Sequence, residues 1–468
     1  MHDTGIGQRA VSCEQVRILK TIIVGAGISG LATGYALLRR QPQLDLQVLE
    51  AAARTGGKVW TDHTESGYAC EWGVNAFLNN KPQTLDLASE LGLRAIEGAA
   101  DAARRYVYRR SRLHRLPESP PAFLGSSLLS LAGRLRVMAE PFIPRGTAGD
   151  ETVAEFARRR LGPEALDALI DPMASGVFAG DPEKMSLPSC FPRIRELEQE
   201  YGSLIRGMLR LQLKARRAGQ GPGPGPGPGG RLTSFAGGMS EMTDSLAASL
   251  GDRVRVSSAV ESITREGDRY QVQLADGTSL DTERLILAAP AWAQAAMLRD
   301  LAPDIAKSLD EIEYPPLAVV CLGFLETALR QPPDGFGFLV PASEGSAVLG
   351  TIFDSNVFPN RAPRNAVLLR SMVGGSRAPG LAMLDDARLL DAVRAELKSI
   401  LGVDTTPEFA RIYRHDRAIP QYHLGHARRL ETIEAALRGH PDLVLTGNAF
   451  RGVSLNDCIA NAFALAGK

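Results

Sequence analysis

The stretch TIIVGAGISG at residues 21–30 decides the fold. A run of β-branched residues leads into a G-x-G-x-x-G turn, and the pattern of residues 31–39 predicts a helix. The apolar run 44–49 predicts a second strand, which leads to Glu50, 20 residues after Gly30. A strand, a glycine turn, a helix and a strand ending in an acid together form a dinucleotide-binding unit. We therefore predict a Rossmann-type βαβ unit.

Each glycine of this motif, and the acid that follows it, has a physical role. Gly25 permits the tight turn, Gly27 lets the backbone approach a pyrophosphate, and Gly30 lets the helix pack closely on the strand. The amino end of the helix offers free N–H groups and a positive dipole to the phosphates. Glu50 can accept hydrogen bonds from a ribose. An ordinary glycine turn is the alternative, which the flanking strands and Glu50 disfavour.

The next segment indicates which dinucleotide is bound. ARTGGK at residues 53–58 resembles the A-R-x-G-G signature of FAD enzymes with the amine-oxidase type of fold. Arg54 can neutralise a pyrophosphate, and the paired glycines let the chain pass close to a flavin. Domains that bind only NAD do not usually carry this segment. We therefore predict non-covalent FAD.

Composition excludes several classes of protein. The chain has 468 residues, 44% hydrophobic and 23% charged, with a formal net charge of zero. This length predicts two or three domains, and no basic stripe indicates nucleic acid. Five scattered cysteines without C-x-x-C spacing indicate a reducing compartment and no zinc site. No apolar run reaches the roughly 20 residues that span a bilayer, and residues 1–16 lack a secretory core. We expect a cytoplasmic protein, at most attached to a membrane surface.

The rest of the chain alternates between predicted helices and strands, and residues 120–220 are mostly helical. We predict helices at 83–92 and 385–401, a hairpin of strands at 104–108 and 113–116, and strands at 253–258, 260–265, 269–274, 284–288, 315–325, 336–353 and 367–373. The segment GPGPGPGPGG at 221–230 predicts a solvated loop. Near the end, the strand 443–448 precedes a helix that opens at 452–458. Its amino end could face the flavin, so both ends of the chain would build the cofactor domain.

One helical stripe has two interpretations. Its apolar members recur at helical spacing beside Arg134 and Arg136, and they are Leu128, Leu131, Leu135, Met138 and Phe142. Packing against the body of the protein is the first interpretation. A peripheral membrane contact, with the arginines near lipid headgroups, is the second.

With these segments in hand, the chain resembles the oxygen-dependent protoporphyrinogen oxidases from about residue 18 to residue 466. The motifs that carry the resemblance are GAGISGLA, ARTGGK, EWGVNAF, RRYVY, SGVFAGDPEKMS, FAGGM, DGFGFLVP, SMVGG, IPQYHLGH and GVSLNDC. SGVFAGDP, IPQYHLGH and GVSLNDC are the most diagnostic. Val74 and Ser454 depart from the family's usual residues beside the flavin.

The resemblance implies an α/β (α+β) protein with a p-hydroxybenzoate-hydroxylase-like FAD-binding fold, a substrate-binding sheet domain and a helical membrane-binding region. The implied boundaries are 17–82, 231–302 and 440–468 for the FAD domain, 83–105, 189–220 and 303–439 for the substrate domain, and 106–188 for the helical region. It also implies six-electron oxidation of protoporphyrinogen IX to protoporphyrin IX by dioxygen, with hydrogen peroxide released, and it admits a homodimer.

The resemblance further implies the site residues. Arg105 would meet a propionate and the Gly176 carbonyl a pyrrole N–H, while Phe336, Leu339 and Met372 would clamp the macrocycle. The cofactor residues would be Gly25, Ala26, Gly27, Ile28, Ser29, Gly30, Glu50, Ala51, Arg54, Gly57, Lys58, Gly73, Val74, Asn75, Ala76, Val260, Gly447, Asn448, Val453, Ser454 and Leu455. Plain strand core is the alternative for Phe336 and Leu339.

Other functions remain open at this point. A coproporphyrinogen III oxidase would want more than one cation in the pocket, and only Arg105 is an obvious candidate. An amine oxidase would want an aromatic cage before the last helix, which the sequence lacks. A GDP-dissociation-inhibitor-like binding protein would not need the glycines and Glu50. His423 and His426 lie three apart in a predicted loop without an obvious third ligand, so we expect no metal site.

Overall fold

The computed structural model describes residues 19–147, 149–217, 230–329 and 333–467. Its first sheet has five parallel strands, in the spatial order Val254–Arg255, Leu46–Leu49, Thr21–Val24, Arg284–Leu287 and Leu443–Leu445. The strand Thr21–Val24 lies at the centre and is buried throughout. A parallel sheet is covered on both faces, which explains the continuous apolar run in the sequence. The predicted βαβ unit is present.

Two apolar layers cover this sheet. One face carries the helices Ile28–Arg40, Ser240–Leu250 and Leu455–Ala466, with Leu31, Leu246 and Ile459 fully buried between them. The other face carries the helices Ala291–Leu298, Pro303–Asp310 and His426–Leu437 and the antiparallel strands Val260–Glu266, Arg269–Leu274 and Ser279–Thr282. Two of these helices, Pro303–Asp310 and His426–Leu437, fall in the range 303–439 that was assigned to the substrate domain. They nevertheless pack against the parallel sheet.

The second large sheet has seven strands. Their order is Phe409–His415, Leu317–Leu325, Ala366–Gly374, Val348–Phe353, Gly337–Leu339, Arg105–Arg109 and Arg112–Arg115. The helix Asp386–Leu401 covers it through Leu389, Val393 and Leu397. The hairpin at 105–115 forms as predicted, and its parallel pairing with Gly337–Leu339 joins it to this sheet, although it falls largely within the range 106–188.

Smaller elements connect the two sheets. Strands Thr61–His63 and Ala69–Glu71 pair with each other, and Leu232–Phe235 lies between Phe77–Leu78 and Ala95–Glu97. The helix Pro82–Glu90 ends just before Gly92, whose φ is +71°. Short helical turns lie at Ala100–Ala103, Gly251–Arg253, Glu326–Ala328, Ala342–Glu344, Asp354–Val357, Pro359–Arg361 and Pro379–Ala382.

The helices that follow the hairpin are Pro120–Gly125, Leu131–Met138, Val153–Arg160, Pro163–Ala165, Asp171–Phe178, Leu187–Cys190, Pro192–Tyr201 and Leu204–Arg217, with single turns at Glu140–Phe142 and Leu166–Ile170. The last two helices fall in the range 189–220, which was assigned to the substrate domain. A buried ion pair stabilises the helical region, because Arg160 Nη2 lies 2.7 Å from Glu140 Oε1 and both side chains are inaccessible to solvent. None of the helices in the described ranges combines the length and apolarity that crossing a bilayer requires.

The apolar stripe divides between core and surface. Leu128 is buried, whereas Leu131 is 66% exposed, Leu135 61% and Phe142 82%. Of these four residues, only Leu128 is therefore buried against the body of the protein, as the first interpretation expects. Arg136 donates to the carbonyls of Arg159 (2.6 Å) and Arg160 (3.0 Å), so its guanidinium is committed to the protein.

Several sequence predictions need correction. The range 336–353 is two strands, because Pro341 and Gly345, with φ of +66°, enclose a turn. The strand 253–258 is only Val254–Arg255. His426 begins a helix and does not lie in a loop. The predicted loop 221–230 lies outside the described residues except for Gly230.

Candidate active site

A cavity of about 660 Å³ opens at the carboxyl end of the central strand of the parallel sheet. Most of the predicted cofactor residues line it, namely Gly25, Gly27, Ile28, Ser29, Glu50, Ala51, Arg54, Gly57, Lys58, Val74, Val260, Gly447, Asn448, Val453 and Leu455. The predicted residues Ala26, Gly30, Gly73, Asn75, Ala76 and Ser454 are not among the lining residues. Ligands bind at this edge in open α/β sheets.

The glycine turn has the shape that a pyrophosphate requires. Gly25 has φ of +106°, and a Cβ on Gly30 would lie 1.8 Å from the carbonyl oxygen of Gly25. A Cβ on Gly27 would meet nothing within 4 Å, so a side chain there would enter the cavity itself. The empty space at Gly27 therefore fits a phosphate at the amino end of the helix Ile28–Arg40.

Glu50 braces the same turn. Its Oε2 accepts a hydrogen bond from Ala26 N–H (2.7 Å), and its Oε1 accepts one from Ala52 N–H (2.9 Å). A carboxylate has about four acceptor positions, so two remain for the predicted ribose. Glu50 thus links the two loops that border the cavity as well as lining it.

The ARTGGK segment packs directly on the glycine turn. Gly56 N–H donates to Ala26 O (2.8 Å), which joins the two loops. The Arg54 guanidinium lies 4.7 Å from the ring centres of both Trp60 and Trp72. It donates to the carbonyls of Thr55 (3.0 Å) and Gly57 (2.9 Å), and burial lowers its pKa. The cation is thus oriented at the cavity wall.

Lys58 joins the cofactor loop to the segment after the last strand of the large sheet. Its ammonium donates to the carbonyls of Arg417 (2.8 Å) and Ala418. Burial lowers the pKa of Lys58 to about 8. The ammonium is therefore a titratable cation at the cavity, held by backbone carbonyls.

Ser454, one of the two residues that depart from the family's pattern, caps the last helix. Its Oγ accepts from Asp457 N–H (3.1 Å), and it also donates to Asp457 Oδ2 (2.6 Å). This capping box fixes the amino end of Leu455–Ala466. Val453 and Leu455 flank the cap and line the cavity, so the positive end of this helix borders the cofactor site.

Sequence reasoning missed Trp72 and His415, which also line the cavity. His415 Nε2 lies 3.0 Å from the Trp72 carbonyl oxygen, and the two rings are 4.7 Å apart. Because a carbonyl only accepts, Nε2 carries the proton, and burial lowers the pKa of His415. The missed signal was the strand Phe409–His415, which delivers this side chain to the cavity.

The predicted substrate residues form a connected set. Phe336 and Met372 pack in one apolar cluster with Ala76, a predicted cofactor residue. The Arg105 guanidinium lies 5.5 Å from the Phe336 ring centre. A Cβ on Gly176 would lie 2.9 Å from Leu339 Cδ2. Leu339 and Met372 both pair with Gly350 in the sheet, which joins these contacts into one set, and none of the five residues is among those that line the cofactor cavity.

His423 and His426, three residues apart in the sequence, have different partners. His423 Nδ1 lies 3.7 Å from Glu313 Oε1. His426 Nε2 lies 3.2 Å from the Phe450 carbonyl oxygen, and its ring stacks on Tyr422 at 4.1 Å. Both side chains therefore have structural partners of their own.

Comparison with known proteins gives the family. Residues 28–466 match the flavin containing amine oxidoreductase family. The chain is 31% identical to coproporphyrinogen III oxidase of Bacillus subtilis over 94% of this chain and 95% of that protein. It is 33% identical to the chloroplastic protoporphyrinogen oxidase of Oryza sativa subsp. japonica over 94% of this chain and 86% of that protein.

A solved structure agrees with these relatives. It is a protein from Exiguobacterium sp. 255-15, provisionally named protoporphyrinogen oxidase, which superposes with a TM-score of 0.81 at 27% identity over 96% of this chain and 97% of that one. The predicted fold class is confirmed. The glycine turn, Glu50, Arg54 and the capped last helix fit the cofactor of such enzymes. The chain therefore belongs to the flavin containing amine oxidoreductases, and it is an FAD-dependent oxidoreductase.

Proposed function

We propose that this enzyme oxidises protoporphyrinogen IX to protoporphyrin IX, with dioxygen as the electron acceptor. The observation that supports the proposal most is an apolar cluster shared by the two predicted sites, against which the predicted cofactor residue Ala76 and the predicted substrate residues Phe336 and Met372 all pack. Arg105 stands at the end of this cluster, against Phe336. An apolar slot with a cation at its rim suits a flat macrocycle that carries carboxylates.

The reaction balances over three rounds. In each round the substrate loses a hydride from a meso carbon and a proton, and one dioxygen becomes hydrogen peroxide. Two of the three protons come from pyrrole nitrogens and the third from the fourth meso carbon, so that four meso CH groups and two N–H groups remain. Three rounds remove six electrons and six hydrogens in all. FAD, when bound, supplies the hydride acceptor. The protein needs little acid or base catalysis, because the driving force comes from aromatisation of the macrocycle.

The chain's own residues would orient the macrocycle and exclude water. Phe336, Leu339 and Met372 are half-buried and offer apolar surface to its faces. The Gly176 carbonyl, next to Leu339, would accept a hydrogen bond from a pyrrole N–H. Arg105 would pair with a propionate through two parallel hydrogen bonds.

The charges near Arg105 favour a substrate with two carboxylates. Arg104 is paired with Asp334 at 2.6 Å, and Arg115 is paired with Glu118 at 2.9 Å. Arg105 has no ion-pair partner within the described ranges. One available guanidinium at this edge suits protoporphyrinogen better than a tetracarboxylate.

Coproporphyrinogen III is the second candidate, favoured by the Bacillus subtilis relative. The deciding experiment supplies each porphyrinogen at equal concentration and follows the fluorescence of the porphyrin formed. We expect a higher kcat/KM for protoporphyrinogen, with three peroxide molecules per porphyrin. A higher kcat/KM for coproporphyrinogen would assign the other substrate, and no oxidation of either would refute the proposal.

A further inference from the structure

The turn Glu71–Gly73 accepts hydrogen bonds from two side chains of the seven-stranded sheet, Arg370 and His415. Arg370 Nη1 donates to the carbonyl of Glu71 (3.4 Å) and to that of Gly73 (3.3 Å). His415 donates from Nε2 to the carbonyl between them, that of Trp72 (3.0 Å). The three successive carbonyls of Glu71, Trp72 and Gly73 thus accept hydrogen bonds from side chains on two strands of the seven-stranded sheet.

The Arg370 guanidinium is fixed in place by burial and charge. Its side chain is 3% exposed, and its Nε lies 3.4 Å from Asp354 Oδ2. A buried cation needs a counter-charge and hydrogen-bond acceptors, and Asp354 and the two carbonyls provide them. Burial raises the pKa of Asp354, while the charge of Arg370 opposes that rise.

The opposite side of the turn is also closed. A Cβ on Gly73 would lie 2.6 Å from the carbonyl oxygen of Lys58, in the ARTGGK segment. The turn is therefore enclosed between the cofactor loop on one side and Arg370 on the other. No side chain fits at position 73, which explains the glycine there.

This turn leads directly to residues of the cofactor cavity and of the apolar cluster that includes predicted substrate residues. Val74 lines the cofactor cavity, and Ala76 packs against the same buried cluster as Phe336 and Met372. Met372 lies two residues after Arg370 on the strand Ala366–Gly374, so both side chains are on the same face of that strand. One strand therefore carries a predicted substrate contact and the residue that holds the cofactor turn.

We propose that Arg370 and His415 are positioning residues that hold the turn Glu71–Gly73, and with it the segment Val74–Ala76, in a fixed place against the flavin. The effect is to keep the flavin aligned with the seven-stranded sheet, since these hydrogen bonds join that sheet to the turn that precedes Val74 at the cofactor cavity. The alignment with a substrate slot rests on the proposed function, whereas the effect on bound FAD does not.

The test uses the holoenzyme without substrate. Arg370→Gln, Arg370→Lys and the control Arg411→Gln are compared by FAD dissociation constant and by the visible spectrum of the bound flavin. Arg411 lies on the strand Phe409–His415 with a 56% exposed side chain, whose Nε is 3.8 Å from Asp62. We expect Arg370→Gln to weaken FAD binding about tenfold and to shift the spectrum towards that of free FAD. Arg370→Lys, which keeps the charge, should restore part of the FAD affinity and part of the bound-flavin spectrum. Arg411→Gln should match wild type in both measurements.

A second variant covers the case in which Arg370→Gln does not fold. His415→Phe keeps an aromatic ring beside Trp72 and at the cavity wall, and it removes the hydrogen bond to the Trp72 carbonyl. We expect it to raise the FAD dissociation constant about threefold, with a shifted flavin spectrum. A folded His415→Phe or Arg370→Gln protein with the wild-type spectrum and dissociation constant would overturn the proposal. A wild-type protein that binds FAD but oxidises no porphyrinogen would refute only the proposed function.

Discussion

Gly27 and Gly57 are neighbours across the cofactor site, since a Cβ added to Gly57 would lie 3.4 Å from the Cα of Gly27. The glycine turn and the ARTGGK segment are therefore in van der Waals contact there. Both glycines lie at the cavity wall, and a Cβ added to Gly27 would meet no atom within 4 Å.

Gly27→Val should give a folded protein without flavin. Its Cβ would meet no protein atom within 4 Å, so the fold should tolerate it, while the side chain would occupy the space of the pyrophosphate. We expect less than about a tenth of the wild-type flavin content, measured by absorbance after purification. Gly380→Val is a suitable control, since its Cβ would also meet nothing within 4 Å. Normal flavin content in Gly27→Val would mean that the turn does not bind the cofactor.

The flavin should be released intact by acid. Within the described ranges, Cys458 is the cysteine that lines the cavity, and burial raises the pKa of its thiol to about 11, so it is a poor nucleophile near neutral pH. We expect a yellow protein whose flavin stays in the supernatant after acid precipitation. Flavin that remains on the precipitated chain would show a covalent bond and contradict this expectation.

Arg105→Ala should weaken substrate binding selectively. A lost charge-assisted hydrogen bond costs about 1–3 kcal/mol, so KM should rise roughly tenfold or more. Flavin content and melting temperature should not change, because Arg105 is exposed. Arg112→Ala, exposed on the same hairpin, is the control. An unaltered KM in Arg105→Ala would remove this residue from the site.

The exposed part of the stripe predicts peripheral membrane contact. Leu131 and Leu135 are 66% and 61% exposed on the helix Leu131–Met138. Replacing both with glutamate should reduce sedimentation with anionic liposomes while activity in solution is retained. Met383→Glu, at a residue 58% exposed elsewhere, should leave sedimentation unchanged. Equal sedimentation of all three proteins would refute a membrane role for this helix.

His426 should make stability depend on pH. Burial lowers its pKa to about 4 from 6.5, so the folded state favours the neutral ring. The contribution is therefore complete above pH 6.5 and is lost as the pH falls towards 4. A pKa of about 4 in place of 6.5 corresponds to about 3 kcal/mol of folding free energy. The free energy of unfolding of wild type, measured against that of His426→Gln, should fall by about this amount between pH 7.5 and pH 4. A constant difference would show that His426 does not titrate with folding.

Local patterns predicted the cofactor half of the site well. The turn at Gly25–Gly30, Glu50 and Arg54 lie within a few dozen residues of one another, and each has a geometric requirement that its residue type reveals. The boundary errors arose where a turn interrupts an apolar run, as at Pro341–Gly345.

The sequence did not reveal the contacts between the turn Glu71–Gly73 and the seven-stranded sheet. Arg370 and Gly73 are 297 residues apart, and His415 and Trp72 are 343 apart. A buried arginine in a strand looks like any surface arginine until its partners are known. The strand Phe409–His415 was missed because its exposed and buried residues do not alternate regularly.

The parallel sheet takes its strands from distant parts of the chain, and this has a consequence for biosynthesis. The strand Thr21–Val24 has Arg284–Leu287 as one neighbour, and Leu443–Leu445 lies beyond that. The helix Leu455–Ala466 packs on Ile28–Arg40, the helix that begins at the phosphate turn. During translation the nucleotide site cannot close until nearly all of these 468 residues have left the ribosome. Capture of FAD is therefore a late step in folding, and a nascent chain arrested before residue 440 would hold no cofactor.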